Sequence, residues 1–296
     1  MSKLNIVMDM SQYDMFLVCA YRYRNRYKLN LSSPVRNDAL DRGTLIHYAC
    51  ETYYQCLKDG VKYHDAVAAA LLKLKTAFTF ESELDTNEAS HLIDTMEQYF
   101  DHWRVADQQF EILGVEESFM YLLYEDDDMR IYLAGKIDLR IRDNKYENLP
   151  YDHKSFSRSG PVNGLSNQFK NYAAVCNSDY LIVNKIGLQK TLKVHEKFLR
   201  VPVTYDHQIL EAWKKNVIRN IMSYIQCEAE DFWPTNETSC DKYNRRCEYY
   251  EVCESSGEES KRFKLMTNFK KDKPWDVTKV LKKTSEQLEE KREKQE

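Results

Sequence analysis

The sequence has no long apolar run, since no stretch approaches the roughly 18 or more apolar residues of a membrane-spanning helix. Its first residues also lack the charged segment followed by an apolar run that is typical of a secretory signal peptide. Neither a Gly-rich phosphate loop nor an internal repeat is present. We therefore expect a cytoplasmic protein with no membrane partner, and any ATP-driven unwinding would come from another chain.

An excess of positive charge is also missing. The 296 residues include 43 Lys and Arg against 47 Asp and Glu, which gives a formal net charge of −4. Net charge is a weak guide to nucleic-acid binding, because the local distribution of charge decides which surface attracts phosphate.

The clearest basic and aromatic segment is Tyr21–Lys28. Arg22 and Arg24 could pair there with DNA phosphates, and the tyrosine rings could stack on unpaired bases. The alternative is a helix with packed tyrosines and solvated arginines. Four scattered lysines receive no role: Lys185, Lys190, Lys193 and Lys197.

The chain does contain enough apolar material for a substantial core, because 43% of its residues are hydrophobic. Length alone permits one large domain or two smaller ones. Composition and periodicity predict helices near 11–27, 43–58, 63–80, 87–107, 163–176 and 206–228, and strands near 110–124, 129–141, 146–154, 179–187 and 194–202. This order predicts a mixed α/β core flanked by helices.

Two aspartates and a lysine form the first chemical motif. Asp138 lies on a predicted strand, a polar turn follows, and Asp152 and Lys154 lie on the predicted return strand. The hairpin would bring the two aspartates together, and residues two apart on a strand share a face. Mg²⁺ and Mn²⁺ prefer carboxylate oxygens, and an ammonium group nearby can hold the attacking water and stabilise a charged phosphate. The motif predicts metal-dependent cleavage of a phosphodiester, with solvated strand-end carboxylates as the alternative.

The helix after this hairpin carries Gln168 and Tyr172 on one face, since they are four residues apart. They could contact a DNA strand or brace the site. An amphipathic helix with a packed tyrosine is the alternative.

Three late cysteines, Cys240, Cys247 and Cys253, form a second motif. In a reducing compartment, clustered cysteines indicate a metal before a disulfide. The remaining cysteines lie in apolar or helical surroundings and are expected to be buried small hydrophobes, except for Cys19.

Taken together, these motifs resemble the RecB-like branch of the PD-(D/E)XK nucleases, including the iron–sulfur exonucleases of phages and of CRISPR spacer acquisition. The resemblance spans about residues 10 to 255. It implies a restriction-endonuclease-like fold, with a mixed central sheet, a helical N-terminal region and a cysteine-clustered C-terminal region. It also implies that His47 is a metal ligand together with Asp138 and Asp152, and that the backbone carbonyl of His153 has a metal role. The side chain of His153 should point to the opposite face.

The same resemblance implies that Cys19 joins the three late cysteines around a [4Fe–4S] cluster, for which four thiolates are the usual ligand set. A Cys₄ zinc site would use the same residues, and cysteines that bind no metal are the other alternative. The spacing departs from the family, in which a Cys-x-x-Cys is frequent, because six residues separate Cys240 from Cys247. A cluster bound by cysteines from both ends would hold residues 1–255 together as a single nuclease domain. Residues 256–296 would then be a charged linker and tail, helical or disordered.

The expected protein is therefore a metal-dependent DNA nuclease, more an exonuclease on single-stranded ends than an endonuclease, that requires Mg²⁺ or Mn²⁺. By resemblance it would act in recombination, repair, phage DNA processing or spacer acquisition in a prokaryotic or phage-infected cell, with a helicase or integration partner. The alternatives are a DNA-binding subunit that does not cut and a zinc-stabilised adaptor of a recombination complex.

Overall fold

The computed structural model describes residues 3–34, 38–81, 85–157, 160–242 and 245–276. The predicted charged tail beyond residue 276 lies outside these ranges. Among the described helices, none is both long and apolar enough to span a bilayer.

The helices are α1 (Met10–Val18), α2 (Ala20–Tyr23), α3 (Asp38–Lys58), α4 (Tyr63–Glu81), α5 (Thr86–Asp107), α6 (Asn167–Cys176), α7 (Val194–Lys197), α8 (His207–Glu230), α9 (Tyr250–Glu254) and α10 (Glu258–Asn268), with a π-helical turn at Arg24–Lys28 and a 3-10 turn at Glu237–Ser239. The strands are β1 (Leu4–Asp9), β2 (Leu31–Ser32), β3 (Glu111–Glu125), β4 (Met129–Arg142), β5 (Leu149–Phe156), β6 (Tyr180–Gly187), β7 (Phe198–Thr204), β8 (Asp241–Lys242), β9 (Arg245–Arg246) and β10 (Lys270–Lys271).

Six of these strands form a mixed sheet in the order β1, β4, β5, β6 and β7, with β3 also paired to β4. Strand β4 is antiparallel to β5, β5 is parallel to β6, and β6 is antiparallel to β7. Strand β1 runs parallel to residues 129–134 of β4. The predicted mixed α/β architecture is confirmed.

The described chain divides into two compact units, and β3 and β4 contribute residues to both. One unit comprises residues 37–119 and 136–210. On one face of its sheet, helices α3, α4 and α5 bury large side chains such as Tyr53, Met96 and Phe100. On the other face, α6 packs Phe169 and Tyr172 against the strands. Because both faces are covered, most residues of β5 and β6 are buried, whichever face their side chains point to.

The other unit comprises residues 1–36, 120–135 and 211–296. An aromatic cluster holds its elements together, because the ring of Tyr23 lies within 6 Å of the rings of Phe16, Tyr224 and Trp233. Such ring pairs add to the free energy gained from apolar burial.

Three differences from the sequence prediction lie in this second unit. The helix expected at 11–27 is interrupted at Cys19, whose backbone is extended, and it ends in the π-helical turn. The segment predicted as a charged linker and tail from residue 256 begins with α10, and β10 then pairs with β2. Strand β1 was not predicted. The domain prediction itself, with one nuclease domain over 1–255, stays a prediction.

Candidate active site

The antiparallel pairing of β4 and β5 brings the two predicted aspartates to the same part of the sheet. The register places Leu139 opposite Tyr151, so Asp138 and Asp152 lie next to that pair. Asp138 is 7% exposed and Asp152 is fully buried. Since a carboxylate is rarely buried without partners, the contacts of these two groups define the site.

Asp138 accepts a hydrogen bond from the backbone N–H of His153, at 2.7 Å from its Oδ2. Asp152 accepts one from Lys154, whose Nζ lies 3.0 Å from its Oδ1. The other oxygen, Oδ2, is also 3.0 Å from that ammonium, but it accepts no hydrogen bond with acceptable geometry from any described residue. Asp152 therefore keeps a buried oxygen available for a further positive partner.

His47 comes from the middle of α3 and reaches Asp138 with one ring nitrogen. Its Nδ1 is 3.7 Å from Oδ1 of Asp138, and its Nε2 is 3.1 Å from the backbone carbonyl of His153. When Nε2–H donates to that carbonyl, it fixes the tautomer and leaves Nδ1 to face the carboxylates. Metal-binding histidines are commonly oriented by such a second hydrogen bond.

A third carboxylate, that of Glu116 on β3, completes this group. Its Oε1 is 3.5 Å from Nδ1 of His47, and its Oε2 is 2.6 Å from Nζ of Lys136. One ligand atom each of His47, Glu116 and Asp138 all lie within 4.8 Å of one another. Asp152, whose two carboxylate oxygens each lie 3.0 Å from the Lys154 ammonium, is not part of this group.

Glu116 was not predicted from the sequence, and its neighbour Glu117 has a different role. Glu117 makes a two-pronged ion pair with Arg140, at 2.7 and 2.9 Å. Glu116 has φ of 47°, in the left-handed region that side chains other than glycine rarely adopt. This kink resets the alternation of side chains along β3, so simple period-2 reasoning fails there. Strained residues of this kind concentrate at functional sites.

Burial and the neighbouring charges shift the pKa values of the site residues in opposing directions. Burial raises the pKa of Asp138 to about 7, with His47 opposing the shift and Asp152 and Glu116 adding to it. Burial disfavours the charged form of His47, but the hydrogen bond to Glu116 and the charges of Asp138 and Glu116 outweigh it and raise its pKa to about 9. Without an ion, the site therefore holds protons that a divalent cation would displace on binding.

Gln168 and Tyr172, on α6, continue a chain of hydrogen bonds that begins at Lys154. Lys154 Nζ donates to Oε1 of Gln168 at 3.1 Å, Gln168 Nε2 donates to the Tyr172 hydroxyl at 2.9 Å, and that hydroxyl donates to the carbonyl of Lys136 at 2.6 Å. Tyr172 is 4% exposed. This geometry fits the bracing role, while the predicted DNA contact of these residues stays a prediction.

The side chain of His153 lies on the opposite face from Asp152, as alternation along β5 predicts. Its ring stacks on Tyr54 with centroids 5.6 Å apart, and its Nδ1 is 2.8 Å from Nδ2 of Asn184. Its carbonyl, the predicted metal contact, is the atom that faces His47.

A cleft of about 470 Å³ opens beside these groups. Its lining includes His47, Glu51, Glu116, Lys136, His153 and Lys154. A substrate phosphate in this cleft would meet carboxylates able to hold a cation and an ammonium group at once, which is the arrangement for metal-assisted hydrolysis.

The four predicted cluster cysteines lie around a second cavity, of about 780 Å³, in the other unit. Cys19, Cys240, Cys247 and Cys253 all line it, and all are free thiols. No three of their sulfur atoms lie within 4.8 Å of one another. Burial, together with the charges of the other three thiols, raises the pKa of Cys253 to about 11, so the four share one environment.

Ion pairs neutralise part of the positive charge of Tyr21–Lys28, the basic segment beside this cavity. Arg22 contacts Glu248 at 3.3 Å, and Arg26 contacts Asp272 at 2.6 Å. Arg24 lines the cavity and has no ion pair with any residue in the described ranges. The DNA contacts predicted for Arg22 and Arg24 stay predictions.

Comparison with known proteins identifies the class. The sequence profile of the PD-(D/E)XK nuclease superfamily matches residues 8–254. The chain therefore belongs to this superfamily. A search of curated proteins found no match.

Two solved structures were also compared. A protein from Eubacterium rectale, provisionally named an exonuclease, is 11% identical, with a TM-score of 0.48 over 93% of this chain and 92% of that one. The structure of SSO0001 is 9% identical, with a TM-score of 0.28 over 49% of this chain and 68% of that one. At these scores neither likeness carries an argument about function.

Proposed function

We propose that the protein is a DNA exonuclease that hydrolyses phosphodiester bonds from single-stranded ends with Mg²⁺ or Mn²⁺. The observation that carries this proposal is the convergence of His47, Glu116, Asp138, Asp152 and Lys154 beside one cleft. The preference for ends and for single strands rests on the resemblance to RecB-like exonucleases.

Within this site, His47, Glu116, Asp138 and Asp152 are the proposed metal ligands. The donor set fits, since Mg²⁺ and Mn²⁺ take carboxylate and imidazole ligands. Oδ2 of Asp152 supports the fit, because it lies at the site without accepting a hydrogen bond from a described residue and so keeps its lone pairs available to a cation in addition to the Lys154 ammonium. When bound, the ion would neutralise phosphate charge and lower the pKa of a water molecule.

Lys154 is the proposed residue for positioning the attacking water. Its ammonium group is half-exposed, is fixed between Asp152 and Gln168, and lines the cleft. From there it can donate to a water or to a phosphate oxygen, and its positive charge favours the more negative transition state. Gln168 and Tyr172 would keep this amine oriented.

The four cysteines are the proposed ligands of a structural [4Fe–4S] cluster. A Cys₄ zinc site needs sulfurs roughly 3.8 Å apart, given Zn–S bonds of about 2.3 Å in a tetrahedron. A cluster with one thiolate on each of four irons needs wider spacing. Because no three of these thiols lie within 4.8 Å of one another and the cavity beside them is large, we favour the cluster over a single zinc ion.

The unusual spacing of Cys240 and Cys247 has a physical explanation that supports this ligand set. Strands β8 and β9, which lie between the two cysteines in the sequence, pair antiparallel with Asp241 opposite Arg246. The N–H of Cys247 then donates to the carbonyl of Cys240 at 2.7 Å. This pairing brings Cys240 and Cys247 together in spite of their separation in the sequence, and both residues line the same cavity.

The test is cleavage of end-labelled single-stranded DNA by anaerobically purified protein, with Mg²⁺ or Mn²⁺ and with EDTA. We expect metal-dependent cleavage, a product ladder that starts from an end, and resistance of a circular single strand. Asp152→Ala and Lys154→Ala should remove the activity, and iron and acid-labile sulfide should be present.

Two results would overturn parts of this proposal. Metal-loaded protein that binds DNA without cutting would support the alternative of a non-cleaving subunit, although all catalytic residue types are present. Zinc without iron would support a zinc-stabilised fold.

A further inference from the structure

A buried lysine that the proposed mechanism does not use lies next to the catalytic lysine. Lys185 on β6 is directly opposite Lys154 in the parallel register of β5 and β6. Side chains in register on neighbouring strands leave the same face of a sheet, and such strands lie about 4.8 Å apart. Two ammonium-bearing side chains therefore start side by side, on the face that carries Asp152.

The surroundings of Lys185 do not balance its charge. The residue is 8% exposed, and within the described ranges its ammonium has no carboxylate partner. Its Nζ donates to the carbonyl of Gly160 at 2.6 Å and lies 4.7 Å from the centre of the Phe156 ring. Buried lysines are almost always paired with an opposite charge. An anion at this position would therefore be strongly favoured.

A cavity of about 310 Å³ separates the two lysines from the loop that precedes α6. Lys154 and Lys185 line it together with Asn163 and with the apolar side chains of Val162 and Phe169. Its volume is at the lower end of the range for small-molecule pockets. A cation beside an apolar wall is suited to one unpaired nucleotide. The cation would bind the anionic phosphate, and the flat face of the base would lie against the apolar wall.

We propose that this cavity is a nucleotide subsite, in which Lys185 binds the phosphate next to the scissile one and the attached nucleoside lies against Val162 and Phe169. The inference rests on the proposed nuclease function and extends it to a substrate-binding residue. It also gives a physical reason for a single-strand preference, because a paired base must first be unpaired and unstacked before it can enter.

The experiment measures single-turnover cleavage of end-labelled oligonucleotides that carry one neutral methylphosphonate at a position next to the scissile phosphate. The readout is the ratio of the rate for the normal DNA to that for the modified DNA. A charge-assisted contact predicts a ratio of about ten or more at one position for the native chain. Lys185→Gln, which loses the charge but can still donate to Gly160, should bring this ratio close to one, and Lys185→Arg should retain it.

Two further variants separate charge from folding. Lys185→Met, a second neutral replacement, should give the same low ratio as Lys185→Gln. Lys190→Gln changes an exposed lysine outside the site and should leave both the basal rate and the ratio unchanged.

The outcomes separate the two proposals. A native chain without metal-dependent cleavage would overturn the proposed function and this subsite with it. A native chain that cleaves, with a ratio near one at every neighbouring position or an unchanged ratio in Lys185→Gln, would overturn the subsite alone. A subsite residue that only supported the loop would slow cleavage without changing the ratio, and this result would likewise refute the phosphate contact.

Discussion

Replacement of Glu116 by Gln should weaken divalent-metal binding, because it removes the carboxylate that closes the group with His47 and Asp138. Loss of a residue that merely orients a metal ligand costs about 10–100-fold in affinity. Replacing a direct ligand and removing its charge should weaken metal binding at least as much. We therefore expect the affinity for the divalent metal to fall tenfold or more, which is about 1.4 kcal/mol or more of binding free energy. The ion pair with Lys136 is lost as well.

Glu117→Gln is the matched control, since it makes the same change at the next residue of the same strand. Glu117 binds Arg140 instead of facing the site, and its side chain is 39% exposed. Its ion pair is worth up to about 1 kcal/mol of stability because solvent screens it. We therefore expect a small loss of stability and an unchanged metal affinity.

Isothermal titration of both variants with Mn²⁺, beside the native chain, measures the difference directly, and the Mn²⁺ dependence of cleavage should follow it. Equal Mn²⁺ affinities for Glu116→Gln and Glu117→Gln would refute the assignment of Glu116. The strained backbone of Glu116 would then lack a functional explanation.

Three other changes test separate parts of the structure. Tyr172→Phe leaves a backbone carbonyl and the Gln168 amide unpaired, so the free energy of unfolding should fall by about 1–3 kcal/mol. The turnover rate should also fall, while the affinity for Mn²⁺ stays constant. Cys253→Ser should lose iron and the visible absorbance of the cluster, whereas Cys227→Ser, outside the cavity, should retain both. Asp107→Asn breaks a buried ion pair with an arginine, so denaturant titration should show a loss of about 3–5 kcal/mol, with cleavage per folded molecule unchanged.

The carboxylate–lysine part of the site could be predicted from the sequence because local rules govern it. A polar turn between two strands sets the hairpin that brings Asp138 near Asp152, and strand alternation sets Lys154 on the side of Asp152. His47 was different, since its place depends on how α3 packs on the sheet. Only the family resemblance indicated it.

Glu116 could not be predicted, because its position depends on one backbone angle with no sequence signal such as glycine. The interruption at Cys19 was equally hidden. The side chain of Asn236 donates to the carbonyl of Val18 at 2.8 Å, and the N–H of Tyr21 donates to the carbonyl of Pro234 at 3.2 Å. These partners lie more than 200 residues away and override the local helix preference. Lys185 received no role because register between strands is not readable from spacing.

Anomalous diffraction from anaerobically grown crystals that contain Mn²⁺ would locate the divalent metal directly. We expect a manganese peak bound by His47, Glu116 and Asp138, with Asp152 completing the ligand set and Lys154 adjacent. Manganese bound elsewhere, or a site that stays empty at concentrations that support cleavage, would contradict this assignment.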